Sequence, residues 1–208
     1  MLISASITSG NIGRLLDNAV TAAAGGADRI HIDIEDGVFI PSFTVGPRIV
    51  RVSRQAVSLP IDVHLQTDRP EHWVLPAVQS GADLVLFHPE ATAYPFRLTR
   101  MIHDAGARAG AALLLATPFG ALLPYLDQLD EILLMSADPD PADSFSPLVL
   151  DKARELSHRG ATVQLDGGVT RERMHELSET GVQVAVAGRA VFGNGLDQVT
   201  ASIANLRL

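Results

Sequence analysis

The chain has no cysteine. That removes three possibilities at once: a disulfide framework, a thiolate metal site and a cysteine nucleophile. Aromatic residues make up only 5% of the sequence, and the formal charge is −8 with no run of lysine or arginine. A nucleic-acid interface needs a basic stripe interleaved with stacking groups, and an anionic membrane surface needs a basic face, so both partners are argued against. No window reaches the roughly 18 uninterrupted apolar residues that a spanning helix requires. The sequence opens on a strand-like segment, Leu2 to Ile7, with no charged leader or apolar stretch ahead of it. A soluble cytoplasmic protein is the expectation. Linkers and low-complexity stretches are also missing, so residues 1–208 are expected to form a single domain.

What is present is a regular alternation. Hydrophobic residues account for 47% and charged residues for 19%, the balance of a well-buried globular chain. Strand-like runs fall at about 2–8, 29–34, 60–65, 83–87, 110–115, 131–136, 161–165 and 183–187. Helical spacing separates them, as in Ile12-Leu15-Leu16-Ala19-Val20-Ala23 and Leu148-Val149-Ala153-Leu156, and a last helix runs from Leu196 to Leu206. The same punctuation recurs before strands: Gly26-Ala27-Asp28, Gly81-Ala82-Asp83, Gly106-Ala107, Gly160-Ala161 and Gly181-Val182. A glycine that closes a helix and leads into a strand is ordinary αβ-loop chemistry. Eight strands alternating with eight helical segments predict parallel pairing, and the count of eight predicts a closed (β/α)8 barrel. An open doubly wound sheet shares the alternation, but Ser9-Gly10-Asn11-Ile12-Gly13 is too sparse to grip a dinucleotide. The fifth helical segment, Gly120 to Asp127, is short and interrupted by proline.

Chemistry collects at strand ends. Residues 29–35 alternate Ile30, Ile32 and Ile34 with His31, Asp33 and Glu35 before breaking at Asp36-Gly37. His31 and Asp33 therefore share a face, about 7 Å apart. Strand three ends with Asp62-Val63-His64-Leu65-Gln66, strand four runs into His88-Pro89-Glu90, and strand seven ends with Leu165-Asp166-Gly167-Gly168. In such barrels the C-terminal strand ends form one mouth. His31, Asp33, His64 and Asp166 would make a mixed nitrogen and oxygen site there, suited to zinc, iron, manganese or cobalt better than to magnesium or calcium. Any one of the four alone reads equally as a satisfied structural group. His72, His103, His158 and His175 lie in helical stretches and read as surface residues. His88 has no obvious partner, and Glu90 reads as a helix-entry charge. Gly167, Gly168, Gly188 and Arg189 follow strands seven and eight, where bare backbone N–H groups and a cation suit a phosphate.

Ser6-Ile7, Ile30 to Pro41, Leu59 to Leu65, Leu165 to Gly168 and Ala187 to Gly193 together resemble the ribulose-phosphate 3-epimerase family, in order and over nearly the whole chain. That resemblance implies a (β/α)8 barrel with one divalent metal ion held by His31, Asp33, His64 and Asp166. It implies that Asp33 and Asp166 are paired acid/base carboxylates, that Ser6 contacts substrate, and that Gly167, Gly168, Gly188 and Arg189 fall where phosphate is gripped. The reaction implied is epimerisation of a small keto-sugar phosphate, first D-ribulose 5-phosphate to D-xylulose 5-phosphate. Inversion beside a ketone removes a proton on one face and returns one on the other, which two carboxylates can do. A cation stabilises the enediolate between the two transfers. Barrels of this family often associate, so a homo-oligomer is also expected.

The chain departs from the family's pattern in four places. Residues 138–143 carry Asp138, Asp140 and Asp143 and no glycine, where the family has a glycine-rich phosphate loop. Glu35 and Gln66 stand at two methionine positions, Leu114-Leu115 at an asparagine-proline, and Val38 at a histidine. The alternatives are epimerisation of another pentulose, tetrulose or hexulose, phosphorylated or not; then a metal-dependent aldolase or decarboxylase; then a non-catalytic sugar-binding barrel. The decarboxylase reading is disfavoured because related enzymes carry Asp-x-Lys where this chain has His31-Ile32-Asp33.

Overall fold

Alternation along a strand becomes two faces in space. The computed structural model describes residues 1–137 and 145–207, so the expected acidic segment 138–143 lies outside the described residues. Eight strands pair in parallel and in chain order to close a barrel: β1 (Leu2–Ser6), β2 (Arg29–Glu35), β3 (Ile61–Gln66), β4 (Leu84–Phe87), β5 (Arg108–Leu113), β6 (Glu131–Met135), β7 (Val163–Asp166) and β8 (Val184–Ala187). Around it lie α1 (Leu15–Ala24), α2 (Pro47–Ala56), α3 (Glu71–Gln79), α4 (Pro95–Asp104), α5 (Leu148–His158), α6 (Arg171–Glu179), α7 (Arg189–Phe192) and α8 (Val199–Leu206). The (β/α)8 architecture read from the sequence is the one observed.

One face of each strand is apolar and points out to the helices. Ile30, Ile32 and Ile34 of β2 and Val63 and Leu65 of β3 join Ala19, Val50, Val74, Leu98, Leu156 and Ile203 of the helices in one core. The other face lines the lumen, where Leu84, Leu86, Ala112, Leu133 and Val186 form a separate, smaller apolar cluster. Burial of the outer face, at about 25 cal/mol per Å² of apolar area, is what holds helices to sheet.

Below the lumen cluster sits a charged plug. Glu131 is buried, and one Arg29 guanidinium nitrogen lies 2.9 and 2.8 Å from its two carboxylate oxygens. Gln164 Nε2 donates to Glu131 Oε2 at 2.6 Å, and Arg108 pairs with the same carboxylate. Asp62 completes the layer, 3.6 Å from Arg29 and accepting from Ser4 Oγ at 3.0 Å. Six strands are thereby tied across the N-terminal pole of the barrel.

Three local expectations shift. The first strand stops at Ser6 and not at residue 8, because Ile7–Ser9 forms a 3-10 turn whose Ile7 carbonyl accepts from buried Asn18 at 2.9 Å. The fifth strand starts and ends two residues early. Its N-terminal half pairs with β4 from Arg108 onward, and Lys152 gathers the carbonyls of Leu114, Leu115 and Thr117 into a turn at 3.3, 2.5 and 2.6 Å. The fifth helical segment is two 3-10 turns, Phe119–Ala121 and Leu123–Gln128, broken at Tyr125, where φ is −142° directly after Pro124. Among the described residues no helix is long and apolar enough to cross a membrane.

The plug yields a stability test. Glu131→Ala leaves the largely covered Arg29 with only the more distant Asp62 as counter-charge, and breaking a buried ion pair from one side costs up to about 3–5 kcal/mol. Urea unfolding is expected to show that loss. A change below about 1 kcal/mol, the worth of an exposed ion pair, would mean the layer contributes nothing.

Candidate active site

Strand register builds the site. The β2–β3 ladder places Asp33 beside His64 and Glu35 beside Gln66, while the β1–β2 ladder places Ser6 beside His31. Asp166 closes β7 next to Met135 on one side and Val186 on the other. All of these side chains lie on the lumen face, above the apolar cluster.

Asp33 is the centre, only 8% exposed. Its Oδ1 lies 3.3 Å from His31 Nε2, 3.2 Å from His64 Nδ1 and 3.2 Å from Gln66 Nε2. Its Oδ2 accepts hydrogen bonds from Ser6 Oγ at 2.8 Å and Thr8 Oγ1 at 2.7 Å. Asp166 Oδ2 stands 3.9 Å from His64 Nδ1. One ligating atom each from His31, Asp33, His64 and Asp166 lies within 4.8 Å of all the others. His31 is fully buried, yet neither ring nitrogen has a hydrogen-bond partner. Burying such groups unpaired is costly, and a cation shared by these four residues is the partner the donor set lacks. Two nitrogens and two carboxylates fit a divalent transition metal.

The ionisation of these groups is divided by their surroundings. Burial raises the Asp33 carboxyl, but His31 and His64 beside it more than reverse this and hold it well below the usual carboxylate range. Burial and the nearby Asp33 charge push Asp166 up. Burial disfavours the charged form of His31, which Asp33 overcomes, raising it to about 9; burial wins at His64, lowering it to about 4. Two carboxylates pushed in opposite directions are the arrangement in which one accepts a proton and the other supplies it.

The expected phosphate residues meet on the adjoining side. Asp166, Gly167, Gly168, Gly188 and Arg189 line one cavity of about 410 Å³ with Arg173. Gly167 has φ of 95°, and a Cβ there would lie 2.6 Å from Ser136 Oγ, so both conformation and space demand glycine. Arg173 is a cation the sequence reading passed over; it donates to the Gly168 carbonyl at 2.5 Å and stacks 4.4 Å over Phe145.

On the opposite wall Gln66 Nε2 lies 3.5 Å from Glu35 Oε1, and Ser42 Oγ donates to Glu35 Oε2 at 2.6 Å. Burial raises the Glu35 carboxyl against the bond from Ser42. Val38 points to solvent. His72, His103, His158 and His175 are exposed, as expected.

His88 and Glu90 differ from expectation. His88 is fully buried with its Nε2 2.9 Å from His64 Nε2, so it does have a partner. Glu90 lies 3.5 Å from His88 Nδ1 and accepts the Leu114 N–H at 3.0 Å, which is more than a helix-entry charge. The available signal was two polar groups two apart at a barrel-strand end, the pattern that singled out His31 and Asp33.

Comparison with known proteins agrees with this geometry. Residues 2–192 match the model of the Ribulose-phosphate 3 epimerase family. Ribulose-phosphate 3-epimerase 1 of Cupriavidus necator is 37% identical over 92% of this chain and 84% of its own length. Ribulose-phosphate 3-epimerase of Mycobacterium tuberculosis is 37% identical over 99% of this chain and 91% of its own. Among solved structures, the tryptophan synthase A-subunit from Pyrococcus furiosus superposes with a TM-score of 0.76 at 18% identity, covering 99% of this chain and 96% of that one, a likeness of fold alone. The chain therefore belongs to the ribulose-phosphate 3-epimerase family and is an isomerase of the carbohydrate epimerase class.

Proposed function

We propose that this chain interconverts D-ribulose 5-phosphate and D-xylulose 5-phosphate by proton transfer between Asp33 and Asp166. The observation that carries the reading is the meeting of these two carboxylates, oppositely shifted, with His31 and His64 at one barrel mouth. One carboxylate takes the proton from the carbon beside the ketone, and the electron pair moves to the carbonyl oxygen to give an enediolate. The other carboxylate then delivers a proton to the opposite face, and the ketone re-forms with inverted configuration. Asp33 and Asp166 come from β2 and β7, which suits attack from two sides. Ser6 and Thr8 hold Asp33 Oδ2 and so fix the carboxylate's plane.

His31, Asp33, His64 and Asp166 would hold one divalent ion, with zinc, iron, manganese and cobalt all compatible with the donor set. When bound, it supplies positive charge that stabilises the enediolate oxygen. Gly167, Gly168 and Gly188 offer uncovered backbone to the substrate phosphate, and Arg189 with Arg173 offers charge. Ser6 is assigned to substrate contact as well as to Asp33.

One observation favours a second reading, the same inversion on a different keto-sugar. Glu35 and Gln66 face each other on the wall across from the glycines and offer hydrogen-bonding groups to substrate hydroxyls.

With metal-loaded protein, turnover of D-ribulose 5-phosphate is expected, with solvent deuterium entering at C3. Asp33→Asn and Asp166→Asn should each cut kcat by about 10²–10⁴-fold, the worth of a general acid or base. Deuterium entering another keto-sugar, with none entering ribulose 5-phosphate, would select the second reading. No exchange in any keto-sugar would sink both.

The cation assignment is tested by melting. Zinc at a hundredfold excess over its Kd stabilises the folded state by about 2.7 kcal/mol, which in a chain of this size raises Tm by roughly 5–10 °C over a chelator-treated sample. His31→Ala is expected to abolish the shift. An undiminished shift in that variant would place the ion elsewhere.

A further inference from the structure

His64 has two ring nitrogens, and the fold gives them different tasks. Nδ1 faces the cluster, 3.2 Å from Asp33 Oδ1 and 3.9 Å from Asp166 Oδ2. Nε2 faces away from it, 2.9 Å from His88 Nε2. Two ring nitrogens that close hold together only if one carries the hydrogen and the other the lone pair. Which way this bond runs decides whether His64 is a ligand at all.

Suppose His88 donated. His64 would then carry its hydrogen on Nδ1, pointing it at the place where a lone pair is needed. His88 Nδ1 would in turn present a lone pair to the Glu90 carboxylate 3.5 Å away, acceptor against acceptor. With a cation held by the cluster, in place of the hydrogen that His64 Nδ1 could otherwise share with Asp33 Oδ1 at 3.2 Å, reversing the bond removes both conflicts. His64 Nε2–H donates to His88 Nε2, His88 Nδ1–H turns to Glu90, and His64 Nδ1 is left bare. Buried His88 Nδ1 makes no hydrogen bond to any other group, and the Glu90 carboxylate stands 3.5 Å from it, within reach of an N–H directed that way.

Glu90 is itself fixed. Its Oε1 accepts the Leu114 N–H at 3.0 Å, and Thr117 donates to the same carboxylate. Both residues lie on the turn that Lys152 ties down through the carbonyls of Leu114, Leu115 and Thr117. The His88 ring packs against Phe39, with centroids 4.8 Å apart, so it has little freedom to flip.

We propose that His88 and Glu90 are positioning residues: the carboxylate sets the direction of a hydrogen-bond chain from His64 through His88 to Glu90, which keeps the His64 Nδ1 lone pair available to a divalent cation. This rests on the reading that His31, Asp33, His64 and Asp166 hold that cation. Outer partners of this kind hold a ligating ring in one orientation and one donor pattern, and their loss weakens metal affinity by about 10–100-fold.

Zinc and cobalt dissociation constants, measured by chelator competition on the full chain, are the primary readout. His88→Leu is expected to weaken both by about 10–100-fold. His88→Gln, whose amide oxygen can still accept from His64, should recover most of the loss, and Glu90→Gln should fall between. Nitrogen-15 NMR of the histidine rings in zinc-loaded protein is expected to show His64 protonated at Nε2 and His88 at Nδ1. Wild-type affinity in His88→Leu would overturn the proposal, as would a hydrogen on His64 Nδ1. If His88→Leu fails to fold, His88→Gln and Glu90→Gln give the same comparison. Absence of zinc and cobalt binding by the wild-type chain would instead remove the cation reading, and the proposal that rests on it falls with it.

Discussion

A single buried carboxylate organises the mouth of this barrel. Asp33 receives Ser6 and Thr8 on one oxygen and faces His31, His64 and Gln66 with the other. A carboxylate this deep is tolerable only when its lone pairs are taken by donors or positive charge. The neighbours that keep it charged come from β1, β2 and β3, so the site exists only in one strand register. Slipping β3 by one residue against β2 would send His64 out among the helices and bring Val63 or Leu65 in. The outward isoleucines and valines that fix this register by packing are therefore part of the site's design, although none touches it.

The barrel separates its charges into two poles. At the N-terminal end, Arg29, Asp62, Arg108 and Glu131 bring both signs together, and the layer closes on itself. At the C-terminal end Glu35, Asp33 and Asp166 share the mouth with His31, whose charged form Asp33 favours, and with His64, which burial keeps neutral. Leu84, Leu86, Ala112, Leu133 and Val186 stand between the poles. The lower layer is complete without a ligand; the upper one holds His31 ring nitrogens without hydrogen-bond partners beside two carboxylates, a set that a cation would complete.

Much of this was legible in the sequence because it rests on local periodicity. Apolar alternation revealed the strands, and repeated glycine punctuation revealed where helices hand over to them, so the eightfold count followed. His31, Asp33, His64 and Asp166 could be grouped because each stands at a strand's C-terminal end, and a closed barrel brings such ends to one side. What stayed hidden depends on partners far apart in the chain. Glu131 looked like any strand-opening residue until Arg29, 102 residues away, met it across the lumen. His88 looked solitary because its partner, His64, lies on the neighbouring strand. The early end of β5 follows from Lys152, which no window around residues 108–115 contains.

The two walls of the mouth argue about the substrate in different ways. On the β7–β8 side, three glycines and two arginines line a cavity beside Asp166, where backbone and cationic side chains can meet an anion. On the β2–β3 side, Glu35 and Gln66 fill the wall with hydrogen-bonding groups, Gln66 being shared between Glu35 and Asp33. An amide that donates to both carboxylates couples them: a hydroxyl that takes over the bond to Glu35 alters the support of Asp33 Oδ1. A wall of methionines would pack against a substrate without any such link. The residues proposed to meet the sugar are thereby placed in contact with a residue proposed to act on it, so discrimination among keto-sugars is expected to appear in kcat as well as in KM.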